Sequence, residues 1–358
     1  MATKDISKID SNFKAAVVDG RETVYYDTEN APFVFEGLAW NKHSDYFRLP
    51  KHLTKEEVNQ GALELSHHTA GCCVRFQCDS PFITIRAKLT HSFDMNHMPR
   101  CGSAGFDLYI KNQEGKFIFT KAVQPNRDEV DLERLVHPAL PAGMNEYLLN
   151  YPLYGGVEKV EIGVAPGSHI AAPSPHKISK PILFYGSSIT QGGCASRPGN
   201  AYTSMLCRKF DAPQINLGFS GSGKGETAVA EAIAELDLSC FVMDYDHNAP
   251  DAEHLAATHE TFFKIIRKKN PTLPILMLSK CDFYDNVPCK KRRAIIEKTY
   301  QNALAAGDKY VAYIDGELLW GKDDRDACSV DGCHPNDLGF YRMAEVIYPV
   351  LKELMERK

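Results

Sequence analysis

Two hydrophobic rhythms divide this chain, and one sheet or one helical bundle cannot accommodate both. From about residue 30 to 165, short β-prone runs follow one another at 73–76, 82–86, 106–110, 117–119, 146–149 and 160–164. Several alternate apolar and polar residues, as strands with one buried face do. Turn residues such as Asn112, Glu114 and Gly115 separate them, and no long helical pattern intervenes. Many short strands in series predict an antiparallel sandwich. After about residue 175 the rhythm changes. Apolar strands expected at 182–185, 214–217, 240–244, 275–278 and 310–314 now alternate with helical patterns. In one of these Leu255, Phe262, Phe263 and Ile266 share a face; others run over 226–236, 293–306 and 339–355. Strand–helix alternation makes parallel βαβ units, hence an open α/β sheet covered on both sides.

The stretch 165–175, rich in Pro, Gly and Ser, reads as a linker between the two. The expected division is a β-sandwich domain over 1–172 and an α/β domain over 173–358. A chain of 358 residues with 44% hydrophobic residues suits two such cores.

Charge and composition narrow the function. A net charge of −5 argues against a nucleic-acid partner, whose binding domains carry a basic face. The run Lys290, Lys291, Arg292, Arg293 opens a helical segment and reads as a solvated helix face. No stretch of ~20 apolar residues is present, so no membrane span is expected. The opening MATKDISKIDSNF lacks the apolar core of a signal peptide. Eleven scattered cysteines do not make a disulfide framework, and they point to a reducing cytoplasm. The spacing of His67, His68, Cys72, Cys73, Cys328, Cys333 and His334 does not match structural zinc ligand sets. No metal or organic cofactor is expected. A homo-oligomer is compatible with the sequence.

Open α/β sheets bind ligands at the carboxyl ends of their strands. After the first strand of the second half comes Gly186-Ser187-Ser188-Ile189-Thr190, a tight turn able to present a serine hydroxyl beside a helix N-terminus. After the second comes a glycine-rich loop in which Gly221 N–H is a candidate oxyanion donor. After the third comes Asn248, whose carboxamide can donate to the same charge. Before the last helix, Asp331 and His334 stand three apart, so that the carboxylate can hold the imidazole while the ring takes a proton from a serine. Each motif has a blander reading as a turn or a cap. All four fall on one edge of one sheet.

In their order these blocks resemble the SGNH, or GDSL-type, esterase superfamily over about residues 180–357. Gly186-Ser187-Ser188-Ile189-Thr190 stands for the G-D-S-[IL]-T turn, with Gly221, Asn248 and Asp331-Gly332-Cys333-His334 for the other three. Ser187 replaces the name-giving Asp, and Asp246-His247 precede Asn248 where a Gly is usual. In the first half, Gly105-Phe106-Asp107-Leu108-Tyr109 resembles the G-x-D-L-Y motif of a sandwich domain found ahead of SGNH domains. The resemblance implies a three-layer, flavodoxin-like parallel sheet behind a jelly-roll-like sandwich, and a packing of the front domain that brings the loop 96–100 to the cleft. It further implies a Ser188–His334–Asp331 triad with an oxyanion hole from Ser188 N–H, Gly221 N–H and Asn248, hydrolysing a short-chain ester. The expected partner is a small-molecule ester, with an acetylated oligosaccharide favoured.

Three rivals compete. Acyl transfer to an alcohol would use the same triad. A pure carbohydrate-binding role would leave the triad idle. Gly218 to Lys224 fits the G-x-x-x-x-G-K pattern of a nucleotide-binding loop, but Gly225 stands where that loop needs Ser or Thr for its metal.

Overall fold

The computed structural model describes residues 16–281 and 287–357. The first half folds into two antiparallel sheets. One runs β1 (Ala16–Val18), β2 (Arg21–Asp27), β10 (Val157–Val164), β5 (Ile83–Leu89), β8 (Asp131–His137). The other runs β11 (Ile170–Ala171), β4 (Cys73–Cys78), β9 (Asn145–Asn150), β6 (Phe106–Lys111), β7 (Phe117–Val123), with β3 (Val34–Glu36) also on β4. Alternate residues such as Val74 and Phe76, Phe106 and Leu108, or Val160 and Ile162 point into one shared core, as the two-residue period of a strand requires. Short helices α1 (Gln60–Leu65) and α2 (Arg100–Ser103) lie in the connections. Strands β1, β2, β3 and β8 escape the sequence reading because each is short or carries charged residues among few apolar ones.

The second half is a parallel sheet ordered β13 (Gln214–Gly218), β12 (Ile182–Gly186), β14 (Cys240–Asp244), β15 (Ile275–Leu278), β16 (Val311–Ile314). In order of appearance this is 2-1-3-4-5, the flavodoxin-like winding. Each strand is buried on both faces. Ile182 and Phe184 pack with α4 (Tyr202–Phe210) and α8 (Asp337–Glu356). Leu183 and Tyr185 pack with α5 (Thr227–Ala234), α6 (Ala252–Lys269) and α7 (Val287–Ala305). Leu255, Phe262, Phe263 and Ile266 form the buried face of α6, as their spacing predicts. A four-residue helix α3 (Ser188–Gln191) follows β12 directly. Among the described residues no helix is long and apolar enough to cross a membrane.

The halves are knitted together more tightly than a linker between them suggests. Phe47, Leu49, Leu53, Val58 and Ala62 belong to the same apolar cluster as Tyr185 and Leu217. Gly71, at φ +82°, lies so close to the outer edge of β13 that a Cβ there would sit 2.5 Å from the Asn216 side chain. In the Pro-rich stretch itself, Ser174 bonds Glu146 through its hydroxyl and accepts from Arg75 through its carbonyl.

Candidate active site

Gly186 ends β12 where the chain must turn sharply. A Cβ there would meet Thr190 Oγ1 at 2.1 Å and Asp244 O at 2.3 Å, so the turn accommodates only glycine. Ser187, where the family pattern has Asp, caps α3. Its Oγ accepts the Ile189 N–H at 3.2 Å, and Thr190 Oγ1 accepts the Ser187 N–H at 3.2 Å, forming a capping box. Ser188 is then the first helical residue, 8% exposed.

His334 and Asp331 come from the loop between β16 and α8. Ser329 shapes it: its Oγ accepts the Gly332 N–H at 2.9 Å and donates to His334 O at 3.0 Å. Gly332, at φ +83°, makes the turn. The loop brings His334 Nε2 to 2.9 Å from Ser188 Oγ, across 146 positions of sequence. On the other side of the ring, Nδ1 lies 2.7 Å from Asp331 Oδ2. Burial pushes the Asp331 carboxyl up, but the N–H groups of His334 and Cys333 and the imidazole itself outweigh it, bringing it down to about 2. The carboxylate is therefore ionised and needs a proton on Nδ1, which leaves the Nε2 lone pair for the serine hydroxyl.

The loop that carries the sequence-predicted oxyanion donor Gly221 is tied to α3 through Ser220 N–H, which donates to Gln191 Oε1. Among the described residues, neither Ser188 N–H nor Gly221 N–H has a protein acceptor. Gly221, at φ +67°, has open space on the side a Cβ would occupy. Asn248 spends one carboxamide hydrogen on Phe219 O, at 2.7 Å, and so tethers the third loop to the second.

The lysine–arginine run is a correction. Arg292 is not on a solvated face: its guanidinium donates to Asp246 O at 2.6 Å and Ala249 O at 2.8 Å, bracing the turn that carries Asn248. Arg293 pairs with Glu317 at 2.7 Å. Sequence pattern weighs how charged runs usually lie, and it cannot see unpaired carbonyls waiting at a strand end. In the loop 96–100, Met98 is buried in the same apolar cluster as Ile189 and Ala195. Arg100 turns instead to Asp94 and Pro125 O.

Other neighbours carry no motif. Gln191 accepts the Ser220 N–H at 3.0 Å and donates to Leu153 O at 3.1 Å; its Nε2 also lies 3.2 Å from His68 Nδ1. Tyr154 donates to Ser188 O at 3.4 Å. Asp244, wholly buried beneath the turn, accepts from Tyr202 at 2.8 Å and Thr190 at 3.0 Å, and burial pushes its carboxyl up to about 7. Burial, then the nearby charges of Lys280 and His334, holds the His247 imidazole well below the usual histidine range.

The nucleotide-loop pattern is already filled by the protein. Lys224 N–H donates to both Glu226 carboxylate oxygens at 3.1 Å and Gly225 N–H to Tyr185 Oη at 2.8 Å. A carboxylate sits where a phosphate would have to.

A flavodoxin-like sheet behind an antiparallel sandwich, with these loops on its carboxyl edge, defines an esterase of the SGNH type. The second half belongs to the GDSL-like lipase/acylhydrolase family, whose model matches residues 179–352. The first half, over residues 23–170, matches the domain described as the N-terminus of SGNH-hydrolase-type esterases. No curated protein matches the sequence. Among solved structures, the chain is similar to a protein described as a GDSL-like lipase from Bacteroides ovatus, with 29% identity and a TM-score of 0.84 over 94% of this chain and 99% of that one. The salicylyl-acyltransferase SsfX3 of a tetracycline biosynthetic pathway shares the fold at 19% identity and TM-score 0.75, over 93% of this chain and 97% of that one. A family two carbohydrate esterase from Clostridium thermocellum, solved with cellohexaose, does so at 14% and 0.60, over 80% and 93%.

Proposed function

We propose that this protein hydrolyses a short-chain, acetyl-type ester of a carbohydrate, with Ser188 as nucleophile. The carrying observation is the unbroken chain of contacts from Ser188 Oγ to His334 at 2.9 Å and from His334 to Asp331 at 2.7 Å. His334 Nε2 takes the hydroxyl proton as Oγ attacks the ester carbonyl, and Asp331 holds the ring and steadies the imidazolium. The oxyanion is received by the Ser188 and Gly221 N–H groups and the remaining Asn248 amide hydrogen, each donor contributing about 3–4 kcal/mol at the barrier. His334 returns the proton to the departing alcohol. Water, deprotonated by the same imidazole, then releases the acid.

The carbohydrate reading draws support from the carbohydrate esterase that shares the fold. Acyl transfer to an alcohol has its own fold neighbour in SsfX3, and product analysis separates the two. We place the division of the chain at 172/173 and its setting in a reducing cytoplasm, consistent with eleven cysteines scattered along the chain with no disulfide-framework spacing. The test is a panel of acetylated sugars and p-nitrophenyl esters of graded length. The expected result is acetate release that is fastest on acetylated sugars and absent in Ser188→Ala. A preference for octanoyl over acetyl esters overturns the substrate reading.

A further inference from the structure

Arg48 is 1% exposed and lies in the first half of the chain. Among the described residues no carboxylate meets it. Its guanidinium donates instead to four backbone carbonyls: His68 O at 2.7 Å, Leu65 O at 2.8 Å, Asn216 O at 2.7 Å and Gly218 O at 3.0 Å. The last two belong to β13, the edge strand of the parallel sheet. Pro213 O accepts from Ile182 N–H in β12, so by the two-residue period the carbonyls of Asn216 and Gly218 face away from the sheet. Arg48 closes this open edge. Its plane also lies over the Phe219 ring, 4.7 Å from the centroid. Burial brings the guanidinium down to about 10, so it keeps its charge at neutral pH.

Gly218 and Phe219 are the root of the loop that carries the Gly221 N–H. The first half holds this loop elsewhere too: Asn59 Nδ2 donates to Ser222 O at 2.8 Å. A loop of glycines and serines has little side-chain packing to set its direction. A planar fork with fixed donor angles supplies it.

We propose that the 48–59 segment positions the oxyanion loop of the second half, with Arg48 as the principal clamp and Asn59 as a lesser tether. This rests on the esterase reading above. Arg48 touches no reacting atom. It fixes the pitch of residues 216–219 so that Gly221 N–H points at the place where the carbonyl oxygen becomes an anion. That interaction grows only in the transition state, so its loss lowers kcat and spares KM.

The experiment compares full-length wild type, Arg48→Lys, Asn59→Ala and Ser188→Ala, all assayed well below their measured unfolding midpoints. Lysine keeps the charge but cannot reach four carbonyls at once. Arg48→Lys is expected to lose about 10²-fold in kcat, as small misplacements of a catalytic donor do, with KM changed by less than about threefold. Affinity for a boronic acid that mimics the tetrahedral adduct falls in step with kcat/KM. Asn59→Ala shows the same pattern at smaller size. A folded Arg48→Lys with unchanged kcat and boronate affinity overturns the proposal. If Arg48→Lys does not fold, Asn59→Ala decides, and an unchanged kcat there overturns it. Failure of the esterase reading itself looks different: Ser188→Ala then retains wild-type activity and the boronate does not bind wild type.

Discussion

Asp331 grips His334 twice: Oδ1 accepts its backbone N–H at 2.7 Å, and Oδ2 faces Nδ1 of its ring at 2.7 Å. One carboxylate thus sets both where the residue sits and which ring nitrogen carries the proton. Asp331→Asn keeps an acceptor for only one of the two contacts. The expected loss in kcat is about 10³–10⁴-fold, through the wrong tautomer rather than a displaced loop. Steady-state kinetics with a thermal melt checks it, the melt moving little.

Adjacent serines make the nucleophile easy to mistake by one position. An organophosphate is expected to modify Ser188 and leave Ser187 untouched, as peptide mapping by mass spectrometry will show. Ser187→Ala removes the α3 cap at a cost of about 1 kcal/mol in stability, while labelling of Ser188 persists. Modification of Ser187 in wild type would sink the assignment.

Asn248→Ala strips the proposed oxyanion donor and the tether to Phe219 O together. A fall in kcat of about 10²–10³-fold is expected. Gly221→Ala is milder in stability, about 1–2 kcal/mol, because its cost is a left-handed backbone and not a clash. Gly218→Ala is not tolerated, since its Cβ would lie 2.1 Å from the Gln191 nitrogen. Soluble yield and melting temperature rank the two glycine variants.

Asp244 gives stability a pH dependence of unusual sign. Its carboxyl is raised by burial to about 7 in the fold, against about 4 in an unfolded chain. Between those values the folded protein holds a proton that the unfolded chain has released, so stability falls as pH rises through the window and levels off above it. Asp244→Asn removes this slope, worth on the order of a few kcal/mol across the window. Denaturant melts of both proteins from pH 4 to 8 measure the difference, and parallel curves would refute it.

Much of the second half is legible because burial on both faces makes its strands nearly unbroken apolar runs: 240–244 and 275–278 are read to the residue. The contact of Ser188 with His334 and of His334 with Asp331 is legible because the proposed chemistry dictates their types and spacing. Arg48 and Gln191 are not, because their partners are main-chain groups, and any carbonyl reads alike in a sequence. Arg292 is misread for the same reason. Helix α7 begins at Val287, before the expected 293, because its first turns carry few apolar residues to mark a face.

The closure of β13 also governs what a shorter version of this protein would be. Without residues 47–71, the Asn216 and Gly218 carbonyls of that strand would stand bare beside the apolar surface now covered by Phe47, Leu49 and Leu53. Such an edge is a template for strands of neighbouring molecules. Trimmed to its second half, the chain would trade a sealed flank for one that polymerises.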